Sequence, residues 1–405
     1  MKSSYAAILF LVIFFLPCNQ IPASSAEDQL TSLISSGGYV VMAGRKEIAE
    51  YRSSQPFIPA STIKIATTLA ALEILGASQR FKTEFYLRDK TILTIKGYGD
   101  PFLTSEYIPA IAAALKQNGI RTISEVILDE SFFRLSGPAD GSRNSANPYD
   151  AINAALAVNF NSLPLLKYDT GSIASGEMQT PVLPLMKEIG GDLEAGRHRL
   201  NVSAFARQNG ISNVLRYTAE LFISIFQAEG IKVSGSYRAG TIGDKDILVY
   251  THRSHKTTTE VVRGCLRYSN NFIANQLFLL IGVKRYGPPA TWKKAREAMK
   301  TFLQSRLGLG SDLLHLVEGS GLSRNNRATP ALMIAVLEAF KPYAALLPEN
   351  SDVIMKSGTL SEVHNYAGYF KGKTSLDPFV IFLNQPINNR KQILSLLRGV
   401  YRGEP

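Results

Sequence analysis

Apolar and polar positions alternate with two different periods along this chain, and the changeovers divide it. Residues 38–42 and 47–52 have the period of strands, with Gly44 in the turn between them, so they read as a hairpin. Ile63, Ile65, Ala66, Leu69, Ala70, Leu72, Ile74 and Leu75 then repeat with helical spacing and stop at Gly76. From about Phe85 to Gly210 the texture changes. Short strand-like runs at 85–87, 91–95, 123–128 and 155–160 are separated by polar loops at 136–149 and 172–180, with one amphipathic helix at 108–115. Helical periods return at 214–228, 257–266, 270–281, 291–306 and 330–340. Three strand-like runs at 353–356, 366–370 and 379–383 follow, then a last helix at 388–401. Strands from both ends bracketing a helical middle predict one α+β domain whose sheet is built from both ends of the chain. The expected division is residues 27–84 with 211–405 as that domain, and 85–210 as a strand-rich domain inserted into it.

The first 26 residues have a different character. Lys2 precedes an apolar run from Ala6 to Leu16, Pro17 breaks it, and Ser24-Ser25-Ala26 offers small residues before Glu27. This is the pattern of a signal peptide, too short for a membrane span, and it predicts an exported protein without a transmembrane helix in the mature chain. A retained N-terminal anchor is the alternative. Cys18 would leave with the leader, so Cys265 remains as a packed, inert thiol and no intramolecular disulfide forms. With 405 residues, 45% hydrophobic and 19% charged, the chain can bury a large core. Its net charge of +11 suits an anionic surface, cell-wall polymer or lipid headgroups. The basic residues are spread rather than blocked and no nucleic-acid motif accompanies them.

Three short stretches carry candidate chemistry. Ser61 opens the first helix and Lys64 lies one turn on, on the same face. A serine hydroxyl needs a neighbouring base, and a carbonyl under attack needs donors for its oxyanion. A lysine kept neutral supplies the first, and the unpaired N–H groups of a helix start supply the second. No other serine in the chain has a lysine three residues on. Ser269-Asn270-Asn271 opens a second helix, where Ser269 alone would read as an N-cap. Lys356-Ser357-Gly358-Thr359 runs from a strand into a turn. A lysine beside hydroxyls there can hold a carboxylate, and the glycine lets a substrate backbone come close. Each stretch alone also fits a plain structural reading, a capped helix or an exposed strand-end lysine. In this order, each at an element boundary, they form the Ser-x-x-Lys, Ser-x-Asn, Lys-Ser/Thr-Gly triplet of penicillin-binding proteins and β-lactamases.

With that triplet in place, the chain resembles the D-alanyl-D-alanine carboxypeptidases of the penicillin-binding protein 4 type from about Leu30 to Arg398. Gly99-Asp100-Pro101, Asn159-Phe160-Asn161-Ser162, Glu318 to Arg324 and Leu360 to Tyr369 share the resemblance, as does the long gap between the first two motifs. Ser357 stands where threonine is usual, Glu318 where aspartate is usual, and the insertion looks shorter than in fuller members. The resemblance implies a β-lactamase/transpeptidase-like catalytic domain, an antiparallel sheet flanked by helices plus a helical subdomain. It implies hydrolysis of peptidoglycan stem peptides in the periplasm or cell-wall space, with β-lactams as covalent inhibitors and neither metal nor other cofactor. Ser61 would attack the carbonyl of the penultimate D-Ala, and Lys64, kept neutral by a nearby positive charge such as Lys356, would take its proton. Ser269 would relay it to the leaving nitrogen, while Asn271 binds the substrate amide and steadies Lys64. Lys356, Ser357 and Thr359 would hold the terminal carboxylate beside Gly358, with the N–H groups of Ser61 and Thr359 as oxyanion hole. Arg324 would line the site or serve only its loop. D,D-endopeptidase action uses the same chemistry. A β-lactamase or esterase, and a non-catalytic wall-binding protein on the same scaffold, remain as alternatives.

Overall fold

The computed structural model describes residues 26–143, 145–205, 211–308 and 314–403. The expected leader, all but its last residue, lies outside them, Cys18 included. Six antiparallel strands form the main sheet in the order Glu349–Asn350, Val353–Leu360, Val363–Lys371, Leu376–Leu383, Gly37–Ala43 and Lys46–Tyr51. Both chain ends therefore contribute, and the junction between them is central: Tyr39 pairs with Ile381 and Val41 with Phe379. Residues 379–383 are an unbroken apolar run because both faces of the sheet are covered. Phe379, Ile381 and Leu383 turn with Tyr39 and Val41 towards the two terminal helices, Ala26–Ser32 and Arg390–Arg402. Val380 and Phe382 turn with Val40 to the opposite side, into the main helical core.

That core is built on helix Asn271–Tyr286, in which every residue from Phe272 to Gly282 is buried. Such a helix has no polar face, as expected of one enclosed on all sides. Around it pack Thr258–Tyr268, Trp292–Leu307, Pro330–Phe340 and the segment that follows Ser61. This segment starts as a 3-10 turn, Ala60–Ile63, continues as α-helix through Lys64–Ala70 and widens to a π turn over Ala71–Gly76. Cys265 is fully buried here, and burial pushes its thiol up to about 11, the inert state expected of it.

The rest forms a second lobe. Its five-stranded mixed sheet runs Tyr237–Ala239, Glu125–Asp129, Ile92–Gly97, Arg80–Arg88, Ile247–Thr257. A three-stranded sheet of Ile173–Ser175, Ser162–Lys167 and Gly196–Asn201 stands beside it. Packing carries this lobe beyond the boundary expected at residue 210. Helix Asn213–Ala228 places Tyr217, Leu221, Phe222 and Phe226 in one core with Phe85, Ile111 and Val126. Strand Ile247–Thr257 pairs along Arg80–Arg88. The sequence reading missed that strand because it forms one side of the sheet, and exposed residues interrupt its apolar pattern. The strand expected at 155–160 is also absent. Asn159, Phe160 and Asn161 instead hold three successive left-handed conformations, at φ of 48°, 60° and 52°, and the strand begins only at Ser162. Asparagine tolerates that region, and Asn159 is fixed by donating to Ser105 Oγ and Tyr217 Oη, both at 2.8 Å.

Two asparagines, Asn365 buried and Asn384 half-buried, tie the main sheet to the segment that delivers Ser61. Asn365 accepts from Leu383 N at 3.0 Å and donates to Ile58 O at 2.8 Å, and Asn384 accepts from Ile58 N at 2.7 Å. Asn365 is wholly inaccessible to water, so truncating it would strand Leu383 N and leave Ile58 O with only its 3.2 Å bond from Asn384 Nδ2. An Asn365→Ala variant is expected to lose about 1–3 kcal/mol in urea unfolding. Its content of regular structure, as read by circular dichroism, is expected to stay near that of the wild type.

Candidate active site

Ser61 sits where the sheet, the helical core and the loop 318–326 converge, and the approach is close enough to dictate glycine twice. A Cβ at Gly358 would stand 2.8 Å from Pro59 O and 3.1 Å from Ser61 N. Gly358 thus admits the Val353–Leu360 strand to the serine turn itself, a correction to the expectation that it clears space for a substrate backbone. Gly321, at φ +83°, would place a Cβ 2.0 Å from Ala60 O. The turn's first hydrogen bond runs from Thr62 N to Pro59 O at 3.3 Å, so it does not consume the Ser61 N–H.

Lys64 is fully buried one turn from Ser61. Its Nζ donates to Ser61 Oγ at 2.9 Å, Asn271 Oδ1 at 2.8 Å and Ser320 O at 2.6 Å. Three acceptors satisfy an ammonium. In the neutral amine, two N–H bonds still reach Asn271 and Ser320, and the lone pair is left facing the serine hydroxyl. Burial lowers Lys64 to about 8, partly opposed by Cys265 and Glu318. The expected cause, a neighbouring cation, ranks behind desolvation and acts on the other partner. Lys356 is lowered to about 7 by its own burial first and by the charge of Lys64 second.

The Ser320 carbonyl was invisible to sequence reading, since any residue supplies one. Its position is set by Glu318, which is fully buried and accepts from Ser320 N at 2.8 Å, Ser320 Oγ at 2.5 Å, Gly321 N at 2.7 Å, Ser323 N at 3.2 Å and Asn326 Nδ2 at 2.8 Å. One carboxylate thereby shapes the loop that steadies the lysine. Arg324 in that loop donates to Ser361 O, the turn after the third motif, which makes it a brace between the two segments.

Ser269 does not cap the second helix, so the plain structural reading of it as an N-cap does not hold. It ends helix Thr258–Tyr268 in a left-handed conformation, φ 53°, and Asn270 caps the next by accepting from Ile273 N at 2.9 Å. That sharp reversal leaves Ser269 half-buried, with its hydroxyl in no hydrogen bond among the described residues. Asn271, first in its helix, joins two lobes: its Oδ1 accepts from Lys64 and its Nδ2 donates to Tyr149 O of the inserted lobe at 3.1 Å. Phe102, placed by the Asp100 carboxylate through Phe102 N at 2.8 Å, meets Phe160, which meets Phe272 beside Asn271. A groove of about 910 Å³ opens here between Ser269, Asn271, Tyr149, Phe160 and Arg267.

On the third motif, Lys356 and Gly358 are buried, while Ser357 and Thr359 are exposed on the opposite face of the strand. Lys356 Nζ donates to Ser357 O at 2.8 Å. Thr359 Oγ1 accepts from Arg390 Nη1 at 2.7 Å, a residue that sequence reading did not single out. Among the described residues, no cluster of three or more His, Cys, Asp or Glu is placed to hold a metal.

The α+β fold is of the β-lactamase/transpeptidase-like class, and within it one buried lysine donates to both a serine and an asparagine. Residues 25–189 and 202–347 match the D-Ala-D-Ala carboxypeptidase 3 (S13) family, and the chain belongs to it. It is a serine-type D-Ala-D-Ala carboxypeptidase. It is 26% identical to D-alanyl-D-alanine carboxypeptidase DacB of Haemophilus influenzae, over 83% of this chain and 82% of the relative. With D-alanyl-D-alanine carboxypeptidase of an Actinomadura species the identity is 25%, over 78% of this chain and 66% of the relative. The crystal structure of penicillin binding protein 4 (dacB) from H. influenzae has a like fold, with a TM-score of 0.76 and 22% identity, covering 94% of this chain and 99% of the other. The third motif lies beyond the family match, so its place beside Ser61 is a finding of the structure.

Both lysines bind protons less tightly folded than unfolded. Between about pH 7 and the ordinary lysine value near 10.5, the unfolded chain binds more protons, and stability contributed by these groups rises with pH. Urea unfolding at pH 6.5 and 9 is expected to show this rise, and Lys64→Met is expected to reduce it.

Proposed function

We propose that Ser61 is the nucleophile of this carboxypeptidase and that Lys64 is its base, acting on peptidoglycan stem peptides that end in D-Ala-D-Ala. The observation that carries the reading is the 2.9 Å contact between Lys64 Nζ and Ser61 Oγ, made by an amine whose burial brings it to about 8. Ser61 Oγ attacks the carbonyl of the penultimate D-Ala as its proton passes to Nζ. The N–H groups of Ser61 and Thr359 receive the oxyanion, each such donor being worth about 100- to 1,000-fold in rate. Ser269, whose hydroxyl is free to turn, passes a proton to the departing D-Ala nitrogen. The Asn271 amide orients Lys64 and the substrate. Ser357 and Thr359 take the terminal carboxylate, and Lys356, buried behind them, contributes its field. Water then releases the shortened peptide.

A β-lactam would acylate Ser61 by the same route, as the family resemblance implies. Cross-linked peptides present the same bond, so the reading covers D,D-endopeptidase action as well. A periplasmic or cell-wall location follows from the leader-like first 26 residues and the substrate. Among the described residues, no helix is long and apolar enough to cross a membrane.

Intact mass spectrometry after exposure to a fluorescent penicillin tests the assignment. One adduct per chain is expected, absent in Ser61→Ala and formed about 10²- to 10⁴-fold more slowly in Lys64→Met. A wild-type chain that neither forms the adduct nor hydrolyses the drug would sink the acyl-enzyme mechanism. The acylation rate is expected to climb about tenfold per pH unit up to about 8 and then level, because only neutral Lys64 accepts the proton. Stopped-flow rates from pH 6 to 9.5 check this.

A further inference from the structure

Arg390 is the first residue of the final helix, Arg390–Arg402, far in sequence from every motif. Its Nη1 reaches Thr359 Oγ1 at 2.7 Å, and its guanidinium lies over the Tyr366 ring, 4.7 Å from the centroid. Tyr366 is the cross-strand partner of Ser357. The guanidinium is therefore laid along the strand face that carries both exposed hydroxyls of the third motif. No carboxylate pairs with Arg390 among the described residues, and its Nε is buried without a partner. Its position also runs against helix electrostatics. Arg390 and Lys391 occupy a first turn with no acidic residue, where a cation opposes the macrodipole. An arginine held in place by an aromatic face, in contact with a binding hydroxyl and short of an anion, is suited to a planar carboxylate, which it can grip with two parallel N–H bonds.

We propose that Arg390 binds the substrate carboxylate next to the scissile bond, completing with Ser357 and Thr359 a three-residue carboxylate pocket. The proposal rests on the acyl-enzyme reading above. It adds that the C-terminal helix supplies a specificity-determining residue. The terminal D-Ala bears this carboxylate beside the departing nitrogen, as does the D-centre of a cross-linked diamino acid. Arg390 accordingly serves any substrate acidic at that position, and it disfavours neutral ones. The electrostatics agree, since the charge of Arg390 is felt at Lys356 and contributes to lowering it.

The test compares a diacetyl-Lys-D-Ala-D-Ala peptide with its C-terminal amide in wild-type, Arg390→Ala, Arg390→Met and Arg390→Lys proteins. Methionine keeps an apolar stem on Tyr366, should alanine disturb folding. The expected result is a loss on the order of 10- to 100-fold in kcat/KM for the acid with the amide nearly unchanged, and partial recovery with lysine. An acid-to-amide ratio unchanged in both the alanine and methionine variants would overturn the proposal. So would an equal fall for the two peptides, which marks a structural role. The two readings fail separately. Without a Ser61 adduct in the wild type, the acyl-enzyme mechanism falls and Arg390 with it. With the adduct present but the ratio unmoved, only Arg390 falls.

Discussion

Everything at this site depends on a lysine that has been taken out of water. An amine at its ordinary value of 10.5 would stay protonated near neutrality and could not accept a proton from serine. Enclosing Lys64 among the Ser61 turn, the Asn271 helix and the 318–326 loop lowers it to about 8, as the proposed role of base requires. Desolvation alone would be destabilising, because a buried ammonium is costly. Three acceptors offset that cost without cancelling the shift: a hydroxyl, an amide oxygen and a backbone carbonyl are dipoles, not counter-ions. An aspartate in place of Asn271 would stabilise the charged form and hold the proton where it is. The chain instead keeps its nearby carboxylate, Glu318, busy with five other donors, so that it shapes the loop and leaves Lys64 to neutral partners.

That enclosure requires three separate elements to approach the same turn, and the two close glycines follow from it. Gly358 lets a strand, and Gly321 a loop, come within van der Waals reach of residues 59–61. Asn365 and Asn384 then hold that turn to the sheet through Ile58. Position at the reacting atom is therefore set from several directions, by backbone contacts that no rotamer change can relax.

The centre of the sheet was readable because its strands are long, apolar and set at the two ends of the chain, and residues 330–340 proved to be helical from Pro330 to Phe340. The three motifs were readable as residue types at fixed spacing, and the structure brings both Ser61 and Asn271 into contact with Lys64. What escaped the sequence was whatever depends on tertiary surroundings. Backbone carbonyls such as those of Ser320 and Tyr149 carry no side-chain signature. The left-handed run at 159–161 is imposed by Asn159 anchoring to Ser105 and Tyr217, contacts across 54 and 58 positions. The outer strand 247–257 lacks the burial that would print a period on it. Arg390 reads simply as one residue of the final helix until the sheet places it over Tyr366.

The inserted lobe is not a passive appendage. Asn271 gives one end of its amide to Lys64 and the other to Tyr149 O, so the orientation of the group that steadies the base is fixed partly by a residue of the insertion. Asn153 and Gln276 tie the same lobe to the same helix, Asn153 donating to Phe272 O and Gln276 Oε1, and Gln276 donating to Ala154 O. A displacement of the lobe would turn the Asn271 amide and with it one of the two fixed acceptors of Lys64. The lobe thus stands in the chain of contacts that orients one acceptor of the lysine, and it forms a groove with Ser269 and Asn271.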